Sequence, residues 1–285
     1  MIKKITLLAT VVLISTLIYA QEETDTIQDW KFNGLTSINF SQVSLTNWAA
    51  GGENSYAFNG LINLSANYSK DKNDWGNTLE VGYGVQKQGD QDVRKTDDHI
   101  DFVSKYGRKV SKSFFISAML SFKSQMDEGK KYETDPDTSY VISKFLAPGY
   151  IQGALGMEYK PNETFYAVLS PVTGKLTMVL DDTLSARGSF GVDPGDKTRM
   201  ELGGSAAIGV KTEIMKNVLL TSTLGLFSNY IEKPQNIDVE WKVLINMKIN
   251  DYLSANLNTH LIYDDDMVQD VQFKEVFGVG LTYKF

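Results

Sequence analysis

The stretch Val271-Gln272-Phe273-Lys274-Glu275-Val276-Phe277-Gly278-Val279-Gly280-Leu281-Thr282-Tyr283-Lys284-Phe285 shows the chain's organisation most clearly. Phe273, Phe277, Val279, Leu281, Tyr283 and Phe285 share one parity, and Lys274, Thr282 and Lys284 share the other. A period of two means a strand with two unlike faces. Alternation alone also suits a soluble β-sandwich, so length and spacing must decide between the two.

Working outward, the same period fills the chain. Val239, Trp241, Val243, Ile245, Met247 and Ile249 alternate with Glu240, Lys242, Leu244, Asn246 and Lys248. Comparable rows run through 74–88, 113–126, 199–212 and 251–263. Such segments are longer than ordinary strands, which average about 5 to 6 residues. They match the roughly 9 to 11 residues a tilted strand needs to cross the hydrocarbon of a bilayer. About twelve strands are predicted, with ten or fourteen as alternatives: 31–42, 54–69, 74–88, 98–109, 113–126, 149–160, 163–179, 199–212, 217–231, 237–249, 251–263 and 271–285. Connections after even-numbered strands are short. Those after odd-numbered strands, notably 127–148 and 180–198, are mostly long. Short periplasmic turns and long extracellular loops are the asymmetry of an antiparallel transmembrane β-barrel. This all-β reading puts the outer membrane around the chain and both mature termini in the periplasm. Trp75, Tyr159 and Tyr252 near the short turns, and Trp48, Tyr56 and Trp241 near the long loops, suit the two lipid–water boundaries.

The N-terminus supports export. Lys3-Lys4 precede an apolar run from Ile5 to Ile18 and then Tyr19-Ala20-Gln21, the layout of a signal peptide over 1–20. Residues 21–30 then form a short periplasmic segment, and 31–285 form the barrel. The sequence has no cysteine, which excludes disulfides, a lipidated cysteine and cysteine-bound metal. Without Lys3 and Lys4 the chain keeps 26 basic residues against 35 acidic ones, a net charge of about −9. A nucleic-acid partner would call for a basic patch instead.

Asn47-Trp48-Ala49-Ala50-Gly51-Gly52-Glu53-Asn54-Ser55, Leu226-Phe227-Ser228-Asn229-Tyr230, Pro234-Gln235-Asn236-Ile237-Asp238-Val239 and Ile262-Tyr263-Asp264-Asp265-Asp266 carry a resemblance. They resemble a family of uncharacterised outer-membrane β-barrel proteins of Bacteroidota, a domain of unknown function. The resemblance implies barrel and location and supplies no activity. The terminal Phe285 is similar to the C-terminal signal of outer-membrane proteins, which implies the barrel-assembly machinery as a partner.

The inward parity carries Glu80, Asp101, Lys105, Arg199, Glu201, Lys211, Glu240, Lys242, Lys248 and His260. Charges of both signs in a lumen can set solute preference along an aqueous path, or can pair into a polar plug. Both readings stand at this point. Trp48, Gly51, Gly52 and Asn54 mark a loop with two glycines that permit backbone angles closed to other residues; it is a shaped turn or a recognition loop. Asp264 and Asp266 alternate as oxygen ligands could around a cation, without the glycine and glutamate of an EF-hand, so a solvated acidic loop is favoured over a metal site. His260 has Ser254 six residues away along its strand, roughly 20 Å and beyond hydrogen-bond reach. No catalytic residue and no cofactor are expected. The function classes are a passive or selective channel for small polar solutes, a non-transporting barrel that docks a partner through its outer loops, and, more distantly, a lipid hydrolase.

Overall fold

The structure, a computed structural model, describes residues 29–46, 50, 52–132 and 139–284. The leader, most of the segment after it, Trp48, Gly51 and Phe285 lie outside the described residues.

Fourteen strands follow in chain order: β1 Trp30–Val43, β2 Ser55–Lys70, β3 Asn73–Gln88, β4 Arg94–Lys109, β5 Phe114–Ser124, β6 Gly129–Tyr132, β7 Ser139–Ser143, β8 Gly149–Tyr159, β9 Phe165–Met178, β10 Thr198–Met215, β11 Val218–Asn229, β12 Ile237–Lys248, β13 Leu253–Asp264 and β14 Val268–Lys284. Twelve of them close an antiparallel barrel in the order β1-β14-β13-β12-β11-β10-β9-β8-β5-β4-β3-β2. β6 and β7 form a separate hairpin in the connection from β5 to β8.

The wall is apolar outside and polar inside. Phe273, Phe277, Leu281 and Trp241 point away from the lumen and are exposed, whereas Glu201, Thr173 and Ser254 point inward and are buried. That inversion is what lipid as outer solvent demands, and the closed order gives each wall strand a neighbour on both sides.

One strand changes parity partway. Leu169 and Val172 are both exposed on the outer face of β9, although an odd and an even position cannot share a face of a regular strand. The register of β9 shifts against both neighbours here: Leu155 faces Val172 while Met157 faces Leu169, and Gly203 faces Thr173 while Ser205 faces Ser170. The extra residue lies at Ser170-Pro171-Val172. Proline offers no N–H to a ladder, so a bulge is where it fits within a sheet.

The length asymmetry resides in three connections, 44–54, 125–148 and 179–197. The last begins a short helix, α1, Asp182–Ala186. Asp181 caps it, its Oδ1 accepting from the backbone N–H groups of Thr183 and Leu184 at 3.0 Å. Ala147, Val179, Leu184 and Val192 pack together beside it, with Phe190 against them. The β13–β14 connection corrects the expected long acidic loop. It is a tight turn, because β13 runs to Asp264 and β14 starts at Val268. Asp264 Oδ1 accepts from Asp266 N at 3.0 Å, a local turn that aspartate favours.

Candidate functional site: the charged lumen

The inward parity brings distant strands into contact across the bore. Lys242 Nζ on β12 lies 2.5 Å from Asp101 Oδ2 on β4. Those two strands are diametrically opposed: β5, β8, β9, β10 and β11 separate them on one side, and β3, β2, β1, β14 and β13 on the other. Beside this pair Lys123 Nζ of β5 reaches Glu240 Oε2 at 2.5 Å. Glu240 Oε1 also receives His260 Nε2 at 3.0 Å and lies 3.5 Å from Lys242. The band continues through Lys274 Nζ to Asp97 at 2.8 Å, Asp97 to His99 Nδ1 at 3.2 Å, and His99 Nε2 to Glu80 at 3.4 Å. Asn63 donates to Glu80 at 2.9 Å. The side chains of Lys242, Glu240 and Lys123 remain about one-third exposed, whereas Asp101, Asp97 and His99 are mostly buried, so the band is partly solvated.

Two other clusters lie at the ends of the bore. At the long-loop mouth Lys175 Nζ meets three carboxylates: Asp238 at 2.9 Å, Asp264 at 3.3 Å and Glu201 at 3.5 Å. Arg199 meets Asp266 at 2.7 Å, Glu232 at 3.2 Å and Glu201 at 3.6 Å, and donates to Gly191 O at 3.2 Å. Towards the short turns Lys105 pairs with buried Glu158 and lies 4.8 Å above the Tyr166 ring. Ser254 and Thr282 hydroxyls meet at 2.5 Å, and Asn246 donates to Asn256 at 2.5 Å. His260 thus meets Glu240 and not Ser254.

The residues singled out from sequence fall in different places. Glu80, Asp101, Glu240, Lys242 and His260 come together in the band. Arg199 and Glu201 sit at the mouth, and Lys105 towards the short turns. Lys211 and Lys248 are exposed and stand apart from the band. Their parity is inward, but Lys248 ends β12 and turns to Asp251 at 2.6 Å, and Lys211 lies just past the last pair of β10 with β9, Val210–Phe165. Asp264 and Asp266 are occupied by Lys175 and Arg199 within the protein. Asn54 Oδ1 accepts from Leu45 N at 2.6 Å and fastens the base of the first loop, and Gly52 has a φ of 119°, a glycine conformation.

Sequence reasoning missed Lys175, Asp238, Asp97 and Glu158. For Lys175 the signal was present: Pro171 in mid-strand announces the parity change that turns Thr173, Lys175 and Thr177 inward.

Comparisons with known proteins add the following. Residues 40–129 match a family of unknown function. Its model is described as "Protein of unknown function (DUF3078)". The match contains the Asn47–Ser55 stretch that carries the family resemblance. No curated protein matches the chain. Among solved structures, the translocator domain of the autotransporter NalP from Neisseria meningitidis is similar at 10% identity and a TM-score of 0.35, over 99% of this chain and 96% of that one. An outer membrane channel from Pseudomonas putida F1 is similar at 12% identity and a TM-score of 0.41, over 92% and 99%. The NanC porin is similar at 8% identity and a TM-score of 0.41, over 89% and 100%. The chain is an outer-membrane β-barrel, a statement its own closed ladder and apolar wall carry.

Proposed function

We propose that this barrel is a constricted, selective channel for small polar solutes and ions, oriented with its short turns and both mature termini in the periplasm. The observation that supports it is the ion-pair band, in which Lys242 and Asp101 join opposite walls while keeping part of their surface in solvent. Paired opposite charges neutralise the bore locally, and their long side chains can swing aside at low cost in water. A small ion passes such a constriction, whereas a sugar-sized solute meets the bridges. The acidic excess around Lys175 and Arg199 raises the local concentration of cations at the outer end, so a preference for cations is part of the reading. Outer-membrane lipid surrounds the wall, and the assembly machinery takes the strand ending at Phe285.

Planar-bilayer recording on the purified protein tests this. The expected result is small stepwise conductance with cation preference, enlarged several-fold when Asp101→Ala and Lys242→Ala are combined. Silence in both proteins under varied voltage, with folding intact, would discard the channel and leave the non-transporting barrel.

A further inference from the structure

The lipid-facing wall is dented across β4, β5, β8 and β9, towards its short-turn end. Tyr106, Ala118, Leu155 and Val172 pair in one outward row across these strands, and Ser104, Leu120 and Gly153 pair in the next. Ala118 and Gly153 leave their places in these rows unfilled. A Cβ built on Gly153 would meet nothing within 4 Å. The result is a mostly apolar groove of about 670 Å³, floored by those two residues. Trp75 and Tyr106 stand on one side of it, Leu155 and Val172 on the other. The aromatic side is held in place: Trp75 Nε1 donates to Ser104 Oγ at 2.9 Å, and Tyr106 Oη donates to Asn73 Oδ1 at 2.7 Å. An apolar hollow does not draw in water. Left empty, it would forfeit the dispersion contacts of its lining. In a bilayer the group that fills it is an alkyl chain.

The groove opens towards positive charge. One row nearer the turns, Arg108 pairs with Ile116 and Ile116 with Met157. Ile116 and Met157 are exposed, so apolar surface continues from the groove to Arg108, which lies two residues from Tyr106, roughly 7 Å along the strand. Lys72 in the β2–β3 turn adjoins this place, since Lys109 N donates to Lys72 O at 2.7 Å. Lys112 lies in the β4–β5 turn. Lys72, Arg108 and Lys112 are exposed, and none has a carboxylate partner among the described residues. Of the carboxylates near them, Asp29 is taken by Lys70, and Asp74 and Glu163 by Lys160. Exposed Asp71 alone stands against the three cations. At the β12–β13 turn, by contrast, Lys248 is met by Asp251 at 2.6 Å. This local excess is positive in a chain whose formal net charge is −7. Guanidinium and ammonium groups at a lipid–water boundary hold phosphate head groups.

We propose that the groove and the cations below it form a binding site for one anionic glycerophospholipid of the leaflet at the short-turn end. The head group lies among Lys72, Arg108 and Lys112. One acyl chain runs over Ile116 and Ala118 into the hollow at Gly153. No covalent step is involved.

The test uses the full mature chain refolded in vesicles of equal parts phosphatidylglycerol and phosphatidylcholine with matched acyl chains. Native mass spectrometry after extraction into detergent counts the retained lipid, and heat-modified gel mobility checks folding. The expected result is one retained lipid per barrel, with phosphatidylglycerol favoured by about five-fold or more, the factor that even one well-placed cation supplies. Gly153→Leu, whose new side chain enters open space, removes most of the retained lipid. Ala118→Leu does the same, should the first variant fail to fold. Lys72→Ser, Arg108→Ser and Lys112→Ser combined keep a bound lipid and bring the two head groups to equal retention. Equal retention by the unaltered protein, a preference that survives loss of the three cations, or retention indifferent to both groove-filling variants overturns the site. A dimer that Gly153→Leu dissociates would put a second copy of the chain in the groove and overturn it as well. The readout is bound lipid and not conductance, so failure of the channel reading and failure of this site are separately visible.

Discussion

The band in the middle of the bore and the mouth at the long-loop end use the same side chains and join them differently. In the band, Lys242 and Lys123 reach across the lumen to Asp101 and Glu240, on strands far apart in the ring. At the mouth, Lys175 and Arg199 gather carboxylates from β10 to β13 and the turn after β13, all on one side of the barrel. The band ties opposite walls together, Lys242 on β12 to Asp101 on β4, whereas the mouth ties strands of one side, from Lys175 on β9 to Asp264 on β13. The first arrangement spans the bore, and the second braces one side of the rim.

That contrast can be broken by charge removal. The largest effect is expected from Asp101→Ala with Lys242→Ala, several-fold in single-channel conductance, because both ends of the bridge across the bore are removed. Next is Lys175→Met. Its side chain is mostly buried among three carboxylates, and removing one partner of a buried ion pair costs about 3 kcal/mol. Urea unfolding from lipid vesicles measures the loss, and a cost below about 1 kcal/mol would put the cluster in the range of a surface ion pair. Asp266→Asn is milder, about 1 kcal/mol or less, because Arg199 keeps Glu232 and Glu201 and a neutral amide can still accept a hydrogen bond. The smallest effect concerns the cap of α1. Lys144, 2.8 Å away, and then the backbone N–H of Leu184 hold the Asp181 carboxyl below the usual carboxylate range. A lowered folded pKa means stability that is present above the unfolded value and lost as pH falls through the folded one. Once the falling intrinsic exchange rate is divided out, the protection of the Thr183 and Leu184 amides should therefore drop on acidification below the ordinary carboxylate range, and protection that stays constant there would remove the cap's role.

The barrel was legible because lipid enforces a parity that turns and loops do not disturb. All twelve wall strands lie where alternation predicts them, and three of the connections expected to be long, 44–54, 125–148 and 179–197, are long, while the β13–β14 connection is a tight turn. Within the band, Glu80, Asp101, Glu240, Lys242 and His260 were legible for the same reason. Which of them pair was not, because contact across a bore depends on strand order and tilt, which parity says nothing about. Lys123 and Glu240 are 117 residues apart in the chain. Lys175 was hidden by the bulge at Pro171, which breaks the rule used to find inward residues. The hairpin β6–β7 and α1 escaped because loop structure answers to local hydrogen bonds and small packing contacts. The rim also showed why acidic stretches mislead: Asp264 and Asp266 look solvated in sequence, yet they are held by cations from other strands.

The small cluster of Ala147, Val179, Leu184 and Val192 has a further consequence. The wall presents its large apolar groups to lipid, so it is held together by a solvent that the experimenter can exchange. The cluster hides its apolar groups in the way a water-soluble protein does. Two solvents thus govern two parts of one chain. Thinning the bilayer or replacing it with detergent should loosen the wall and spare the tuft of loop above it, while salts that strengthen water's exclusion of oil should tighten the tuft and leave the wall indifferent.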